Sequence, residues 1–237
     1  KEVYKSSPFG VVSSFLIGIS HSAVFSLIAV YATSMNFSIL EVSIVTFLFA
    51  ISGAISQWPI GKLSDVLDRR IVIIYTTFGA ALFCFLAIIS SGQMYMPAGL
   101  ATSKLFFYIC IMCFSFCSLP MFALIFAHTN DFIPKEKFVA AGAGLQFVFG
   151  LGAICGPFMC SLFMEFLGEN GFFIFLIIFH SFIGLFGIYR MQIRESGDNP
   201  DSQFAPMPQT ITPAGIELNP STEPIDEPNN LNEFKKI

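Results

Sequence analysis

A short polar loop between two long apolar stretches decides the fold. It reads Trp58-Pro59-Ile60-Gly61-Lys62-Leu63-Ser64-Asp65-Val66-Leu67-Asp68-Arg69-Arg70. In 9–60 the only formally charged side chain is Glu41, and 71–103 carries none. Because apolar runs of this length cross a bilayer, a loop that concentrates Asp and Arg between two of them lies at an aqueous face. The sequence therefore predicts membrane-spanning segments on both sides of the loop.

The overall composition excludes a soluble globular domain. Hydrophobic residues make up 54% of the 237 and charged residues only 12%, with a mean hydropathy of +0.72. Soluble domains carry about 25% charged residues. Lys and Arg total 12 and lie singly or in pairs near the ends of the apolar runs, so no basic stripe indicates a nucleic-acid partner.

Six apolar runs are long enough to cross a membrane. They cover residues 9–31, 41–60, 71–91, 104–128, 138–166 and 171–190. The length of each run is close to or greater than the length of a spanning helix, which needs about 20 residues to cross a hydrocarbon core of about 30 Å. Lipid offers no partner for exposed backbone amides, so we predict an all-α integral membrane domain over 1–190. Pro120 is expected to kink the fourth helix.

The remainder, 191–237, has a different composition. It holds seven of the thirteen prolines and a cluster of acidic residues. A segment of this kind buries too little apolar surface to offset its ordering entropy. We predict a mostly disordered, Pro-rich acidic cytoplasmic tail.

The distribution of Lys and Arg predicts the orientation. One set of alternate loops and termini holds eleven of these residues, and the other holds Lys104 alone. The positive-inside rule then places both termini in the cytoplasm of a multi-pass protein of the cytoplasmic or inner membrane. Because the chain begins with Lys1, we expect it to be part of a longer protein.

The polar loop carries a family resemblance. Gly61-x-Leu63-Ser64-Asp65-x-x-Asp68-Arg69-Arg70 resembles the signature loop of the major facilitator superfamily, Gly-x-x-x-Asp-basic-x-Gly-basic-basic. The approach over 57–61 and the later stretch 127–135 are similar to the YcaD-type subgroup of transporters. Two positions depart from the pattern, since Val66 replaces a basic residue and Asp68 replaces the second Gly. Asp tolerates left-handed backbone angles, so we expect the turn to survive. The alternative interpretation is that the loop only anchors the chain at the cytoplasmic face through its Lys and Arg residues. Such an anchor does not require Gly61 and Asp65 at this spacing.

The resemblance implies an architecture and a function. The chain would be the C-terminal six-helix half of a twelve-helix transporter, built from paired three-helix inverted repeats. The whole would move a small-molecule substrate by rocker-switch alternating access, so a missing N-terminal half or a partner subunit must complete the cavity. Gly61, Asp65, Arg69 and Arg70 would form a conformational latch, with Asp65 facing a helix N-terminus of the opposite half and Gly61 letting backbones cross closely.

Polar positions inside the spans supply the candidate substrate-binding residues. His21 lies near the middle of the first span, where an ionisable group is costly and functional by default. Gln57 and Gln146 each lie on a seam of small residues and offer hydrogen bonds to a substrate. For His21, the alternative is a neutral imidazole that is hydrogen-bonded to its neighbours. For the seams that carry Gln57 and Gln146, the alternative is close helix packing. Gly150, Gly156 and Pro157 are expected to set helix packing and a bend. His180 is expected to face the outside of the bundle.

No catalytic residue, metal site or cofactor is predicted. The six cysteines all lie in apolar runs and are interpreted as small buried hydrophobes, although Cys113 and Cys117 have a spacing at which both meet one soft ion. No Gly-x-Ser-x-Gly or phosphate-binding motif indicates an enzyme. The main alternative to a transporter is a non-transporting membrane scaffold or a decayed transporter fragment.

Overall fold

The computed structural model describes residues 2–90 and 104–193, together with Gly197, Phe204 and Pro206. The rest of the predicted tail, and with it the prediction of disorder, lies outside the described residues. Eight helices are assigned in the described part of the chain: α1 (Glu2–Ser6), α2 (Pro8–Ser34), α3 (Ile39–Val66), α4 (Arg69–Ser90), α5 (Lys104–Ser118), α6 (Met121–Asn130), α7 (Phe138–Leu167) and α8 (Asn170–Ile193). A 3-10 turn, Lys135–Lys137, precedes α7.

The predicted all-helical fold is confirmed. Six segments are long and apolar enough to cross a membrane, and they correspond to the six predicted spans, with α5 and α6 together forming the fourth. The described residues contain no β-strand.

The third helix is longer than predicted. We expected the second span to end at Ile60, but α3 continues to Val66, so Lys62 and Asp65 lie on its last turns rather than in a loop. Helical backbone bonds do not stop where the apolar run stops, and the Leu67 N–H still donates to the Leu63 carbonyl at 3.0 Å. The end of α3 that carries Gly61 and Asp65 is called the signature-loop end below.

Local capping chemistry explains where the first two spans begin. Pro8 opens α2, and Ser7 Oγ accepts the Gly10 N–H at 3.2 Å. At α3, Ser38 and Glu41 form a capping box in which the Glu41 carboxylate accepts the Ser38 N–H at 2.8 Å. Both arrangements satisfy amides that have no partner inside the helix.

At the predicted kink, the helix of the fourth span is interrupted over two residues, Leu119 and Pro120. Helix α5 ends at Ser118, and α6 begins at Met121. Pro120 has no N–H, and its ring clashes with the preceding turn. Backbone bonds resume on either side, from Leu119 N–H to Ser115 O and from Leu124 N–H to Pro120 O, both at 3.0 Å.

Glycines set the close crossing of α2 and α7. Gly18 lies against the Phe149 carbonyl, Gly152 against the Phe15 carbonyl and Gly156 against the Ile19 carbonyl, all closer than a Cβ atom would allow. Small residues give such contacts in lipid because backbones approach without side chains between them.

Gly150, which we expected in the same seam, lies outside it. A Cβ there would meet no heavy atom within 4 Å, because Gly150 faces away from α2. Pro157 is accommodated inside an unbroken α7.

A matched pair of alanine substitutions tests this crossing. Gly156→Ala places a methyl group against the backbone of α2, so we expect a loss of about 1–3 kcal/mol, the usual cost of overpacking. Gly150→Ala enters open space and is expected to be neutral or slightly stabilising. Thermal unfolding of both variants in detergent measures the difference, and equal effects would contradict the close contact.

Candidate functional site

Arg69 forms an ion-pair cluster at the signature-loop end. Its side chain is 8% exposed, and Nη2 lies 2.9 Å from Asp65 Oδ1, four residues earlier on α3. Nη1 pairs with Asp131, just after α6, and also donates to the Ala127 carbonyl at 3.4 Å. One buried guanidinium therefore connects α3, α4 and the end of α6.

Asp68 and Arg70 form a second pair beside this cluster. Asp68 Oδ1 accepts the Arg70 backbone N–H at 2.9 Å, and Oδ2 accepts from Nη2 at 2.6 Å. Partial burial disfavours the charged form of Asp68, but the hydrogen bonds from Arg70 outweigh it and lower the pKa of this carboxyl.

The turn between α3 and α4 is formed as expected, but Asp68 does not use a left-handed backbone there. Among the described non-glycine residues, only Asn36 has a positive φ. Asp68 instead precedes the first turn of α4, where its carbonyl accepts the Ile71 and Val72 N–H groups. Asp is favoured at such a position because its side chain also bonds backbone amides.

Phe204 also contacts the signature-loop end. Its backbone N–H donates to Asp65 Oδ1 at 2.9 Å, and its ring fills the space that the missing side chain of Gly61 leaves. Gly61 therefore admits an aromatic ring in the described chain, where we had expected a close backbone crossing.

A second polar cluster lies in the middle of the spans. His21 is the middle residue of α2, and Ser118 and His180 lie within two residues of the middle of theirs. His21 Nε2 lies 3.1 Å from the Ser118 carbonyl and 3.2 Å from Ser118 Oγ. His180 Nε2 lies 2.8 Å from the same hydroxyl. We call these three residues the midplane network.

The far side of His180 completes the network. Its Nδ1 lies 2.9 Å from the Leu176 carbonyl and 3.3 Å from Ser20 Oγ. His21 is 1% and His180 0% exposed, so both rings are enclosed by protein. The expectation that His180 faces outward is therefore wrong, because the rotation of α8 turns it towards Ser118 and α2.

Gln57 reaches the same break in the fourth span. Its Nε2 donates to the Leu119 carbonyl at 3.5 Å, one residue beyond the carbonyl that His21 binds. Its Oε1 is buried and accepts no hydrogen bond from the residues that the structure describes. The structure thus brings two of the predicted binding residues to consecutive carbonyls of a broken helix. Gln146 lies half-buried on α7.

Comparison with known proteins identifies the family. Residues 10–224 match the family model described as the Major Facilitator Superfamily. The chain belongs to the major facilitator superfamily. No solved structure matches it significantly.

The relatives of this superfamily member have the same general description. The chain is 23% identical over 201 residues to an uncharacterised MFS-type transporter, YE1530, of Yersinia enterocolitica, covering 85% of the chain and 47% of the relative. It is 27% identical over 186 residues to the uncharacterised MFS-type transporter YfkF of Bacillus subtilis, covering 75% and 44%. The chain spans about half the length of the curated relatives it matches.

Three residues of these clusters were missed by sequence reasoning. Asp131 lies inside the quoted stretch 127–135, but only the folded chain shows its pairing with Arg69. Ser118 has a local signal, since it lies two residues before Pro120 in a span. An ionisable residue in the middle of a span indicates a functional role, and His180 has this signal. We set it aside because we expected His180 to face the outside of the bundle.

The buried charges at Arg69 give a stability prediction. Asp131→Asn removes one of the two described carboxylates that pair with the guanidinium, and we expect destabilisation by up to about 3–5 kcal/mol, the cost of breaking a buried ion pair. Lys104→Gln removes one partner of the exposed Lys104–Glu41 pair and should have little effect on stability, because solvent screens the two charges. Unfolding of both variants in detergent measures the contrast, and similar losses would contradict a buried role for Asp131.

The lowered pKa of Asp68 gives a pH prediction. A depressed carboxyl pKa contributes stability that is present above the ordinary Asp value of about 3.9 and lost as pH falls through the lower folded value. Asp68→Asn should therefore lower stability at neutral pH and flatten the acid dependence. Melting temperatures from neutral to acid pH measure this, and parallel curves for the two proteins would contradict it.

Proposed function

We propose that the chain is the C-terminal half of a secondary active transporter that moves a small solute by rocker-switch alternating access, without covalent chemistry. The observation that carries the proposal is the broken helix at mid-depth, where α5 ends and α6 begins. Irregular backbone is tolerated at this depth only where protein or a water-filled cavity surrounds it, and transporters place binding sites at such breaks.

The uncovered faces of α3 and α7 support the proposal of a half. In the most apolar 18-residue stretch of each span, 28% of the residues are buried in α3 and 22% in α7. The corresponding share is at least 50% in each of the other four spans. Their exposed side chains are large and apolar, namely Phe47, Ile55 and Trp58 on α3 and Phe147, Ile154 and Phe158 on α7. An N-terminal six-helix half or a partner subunit would cover these faces and close the cavity.

The substrate-binding residues would be His21, Gln57 and Gln146. His21 and Gln57 meet at the break, and the buried Gln57 Oε1 is an acceptor that a donor on a solute satisfies. Gln146 projects from α7, one of the two helices with an uncovered face. Sparse polar groups among apolar walls suit a small organic solute.

The ion-pair cluster would act as the latch. Arg69 already joins three helices within this chain, and Asp65, whose side chain is 37% exposed, is the most accessible of the three paired side chains for an opposing helix N-terminus. By the Lys and Arg bias, this end would face the cytoplasm, as would both termini, in the cytoplasmic or inner membrane.

Transport by the complete gene product tests the function. Proteoliposomes containing either the complete protein or the 237-residue chain are loaded with radiolabelled amino acids, sugars and organic acids, and separately with ethidium. We expect the complete protein to move at least one of these probes and the chain alone to move none, because one half cannot alternate access. If the correctly inserted complete protein moves none of them, a non-transporting scaffold is the better description.

A matched pair of variants tests the site. Gln57→Leu removes the amide at the break and should reduce transport at least tenfold, the scale of a lost hydrogen bond of about 1.4 kcal/mol. Gln192→Leu makes the same change at an exposed position near the end of α8 and should leave transport unchanged. Equal rates in the two variants would contradict a role for Gln57.

A further inference from the structure

Two described residues of the tail lie beside the carboxylates that pair with Arg69. A Cβ atom on Gly197 would lie 2.6 Å from the carbonyl oxygen of Asp131, at the end of α6. The backbone N–H of Phe204 donates to Asp65 Oδ1, near the end of α3. Helix α8, from which the tail emerges, packs against α2, α4 and α7. The tail therefore returns from α8 to the signature-loop end, where it meets two helices of the ion-pair cluster.

Gly61 has no backbone conformation that requires a glycine. It lies inside α3, and the described glycine with a positive φ is Gly168. A glycine in a helix interior is less favourable than an alanine, because it loses more conformational freedom on folding. A Cβ atom at residue 61 would lie closer to the Phe204 ring than van der Waals contact allows. The glycine therefore makes room for this ring.

The Phe204 ring is the anchor of the described tail. It packs against two apolar clusters, one that contains Ile60 of α3 and one that contains Ala123 of α6. The residue is half-buried, whereas Pro206, two positions later, is exposed. An apolar ring with a bonded backbone N–H thus fills a pocket at the end of α3.

Phe204 gives Asp65 the same kind of donor that the latch would give. The first N–H groups of a helix have no partner inside the helix, so a helix N-terminus presents backbone amides to a carboxylate. The Phe204 N–H is also a backbone amide, and it lies 2.9 Å from Oδ1. Gly61 and Asp65 are four residues apart on α3, so they share the face on which the ring lies. A helix that approaches Asp65 along this face meets the ring.

We propose that the signature-loop end is a docking site for the tail, anchored by Phe204, and that the docked tail and the closed latch exclude each other. The inference rests on the latch of the proposed function and adds a competitor to it. The tail occupies the surface that the opposing helix needs, and each displaces the other. The described chain, with Phe204 in its pocket, has the latch released.

The composition of the tail suits a reversible contact. Residues 191–237 hold seven prolines and few large apolar residues, so ordering them against the bundle costs conformational entropy that little burial offsets. A helix N-terminus adds the attraction of its dipole for the Asp65 carboxylate, which a single amide lacks. An opposing helix can therefore displace the tail.

A photo-crosslinker at residue 204 tests the docking. The complete protein carries p-azidophenylalanine in place of Phe204, which keeps the aromatic ring, and is irradiated in nanodiscs. Mass spectrometry of the digest should find residue 204 attached to the α3 peptide that contains Gly61. The same probe in place of Phe166, an 80% exposed residue at the far end of α7, should give no such product.

A pair of alanine variants tests the pocket. Gly61→Ala keeps a good helix former in α3 but places a methyl group where the ring lies. Crosslinking from residue 204 to α3 should fall at least about fivefold, which corresponds to the lower end of the usual cost of overpacking. Gly150→Ala, which enters open space on α7, should leave the yield unchanged. Thermal unfolding shows that both variants are folded. Attachment of residue 204 only to other parts of the protein, or equal yields in the two variants, would overturn the docking site.

A probe beside Asp65 tests the exclusion. p-Azidophenylalanine replaces Val66, which is 78% exposed, and should attach to the preceding half of the complete protein when the latch is closed. Phe204→Ala removes the anchor, so this attachment should rise at least about fivefold, in line with the loss of a buried aromatic side chain. Phe166→Ala removes a ring of the same kind at the other end of the span and should cause no rise. Equal attachment in all three proteins would overturn the exclusion, even if the tail docks.

The crosslinking measurements separate this inference from the proposed function, because they need no substrate. Docking and exclusion in a protein that moves no solute would support the inference and refute the transporter. In a protein that transports a solute, a residue 204 that never attaches to α3, or a latch that ignores Phe204→Ala, would overturn the inference and leave the transporter standing.

Discussion

The break at Pro120 is the constraint on which the interior of the protein depends. Hydrocarbon supplies no hydrogen-bond partner, so a carbonyl released from a helix at mid-depth must be satisfied by another part of the protein. The carbonyls of Ser118 and Leu119 receive His21 from α2 and Gln57 from α3. The interruption at Pro120 therefore gives the polar side chains of His21 and Gln57, on two other spans, their partners in the fourth span.

The helices are held together by different physical means at different depths. At mid-depth the contacts between α2, the fourth span and α8 are hydrogen bonds, which require particular atoms in particular orientations. At the signature-loop end the contacts are ion pairs of Arg69, which tolerate small shifts. The crossing of α2 and α7 uses glycine surfaces that lie against backbone carbonyls, and its strength comes from shape alone.

The sequence was informative wherever a property is local to the chain. The six spans follow from apolar runs bounded by charge, and the break follows from one proline inside a span. The length of α3 could not be predicted from hydropathy, because the last turns of the helix carry Lys62, Ser64 and Asp65 and still keep the helical conformation. Pairings across the fold, such as Arg69 with Asp131 or His21 with Ser118, depend on the rotation of each helix about its axis. Periodicity shows which residues share a face, but not which neighbour that face meets, and this is why His180 was placed on the wrong side.

The distribution of buried and uncovered helices limits how a rocking motion could use the midplane network. The helices that supply it, α2, α5 and α8, are among the better-buried spans, while α3 and α7 carry the uncovered apolar faces. Yet α7 is attached to α2 at the glycine crossing, and α3 reaches the break through Gln57. A movement of either uncovered helix would therefore act on a helix that carries a residue bound to the break. Conversely, a change in the hydrogen bond between His21 and Ser118 would alter the attachment of α2 to the fourth span, and α7 packs against α2. These short connections join both uncovered helices to the interruption of the fourth span, so a rearrangement of α3 or α7 would change the hydrogen bonds made there.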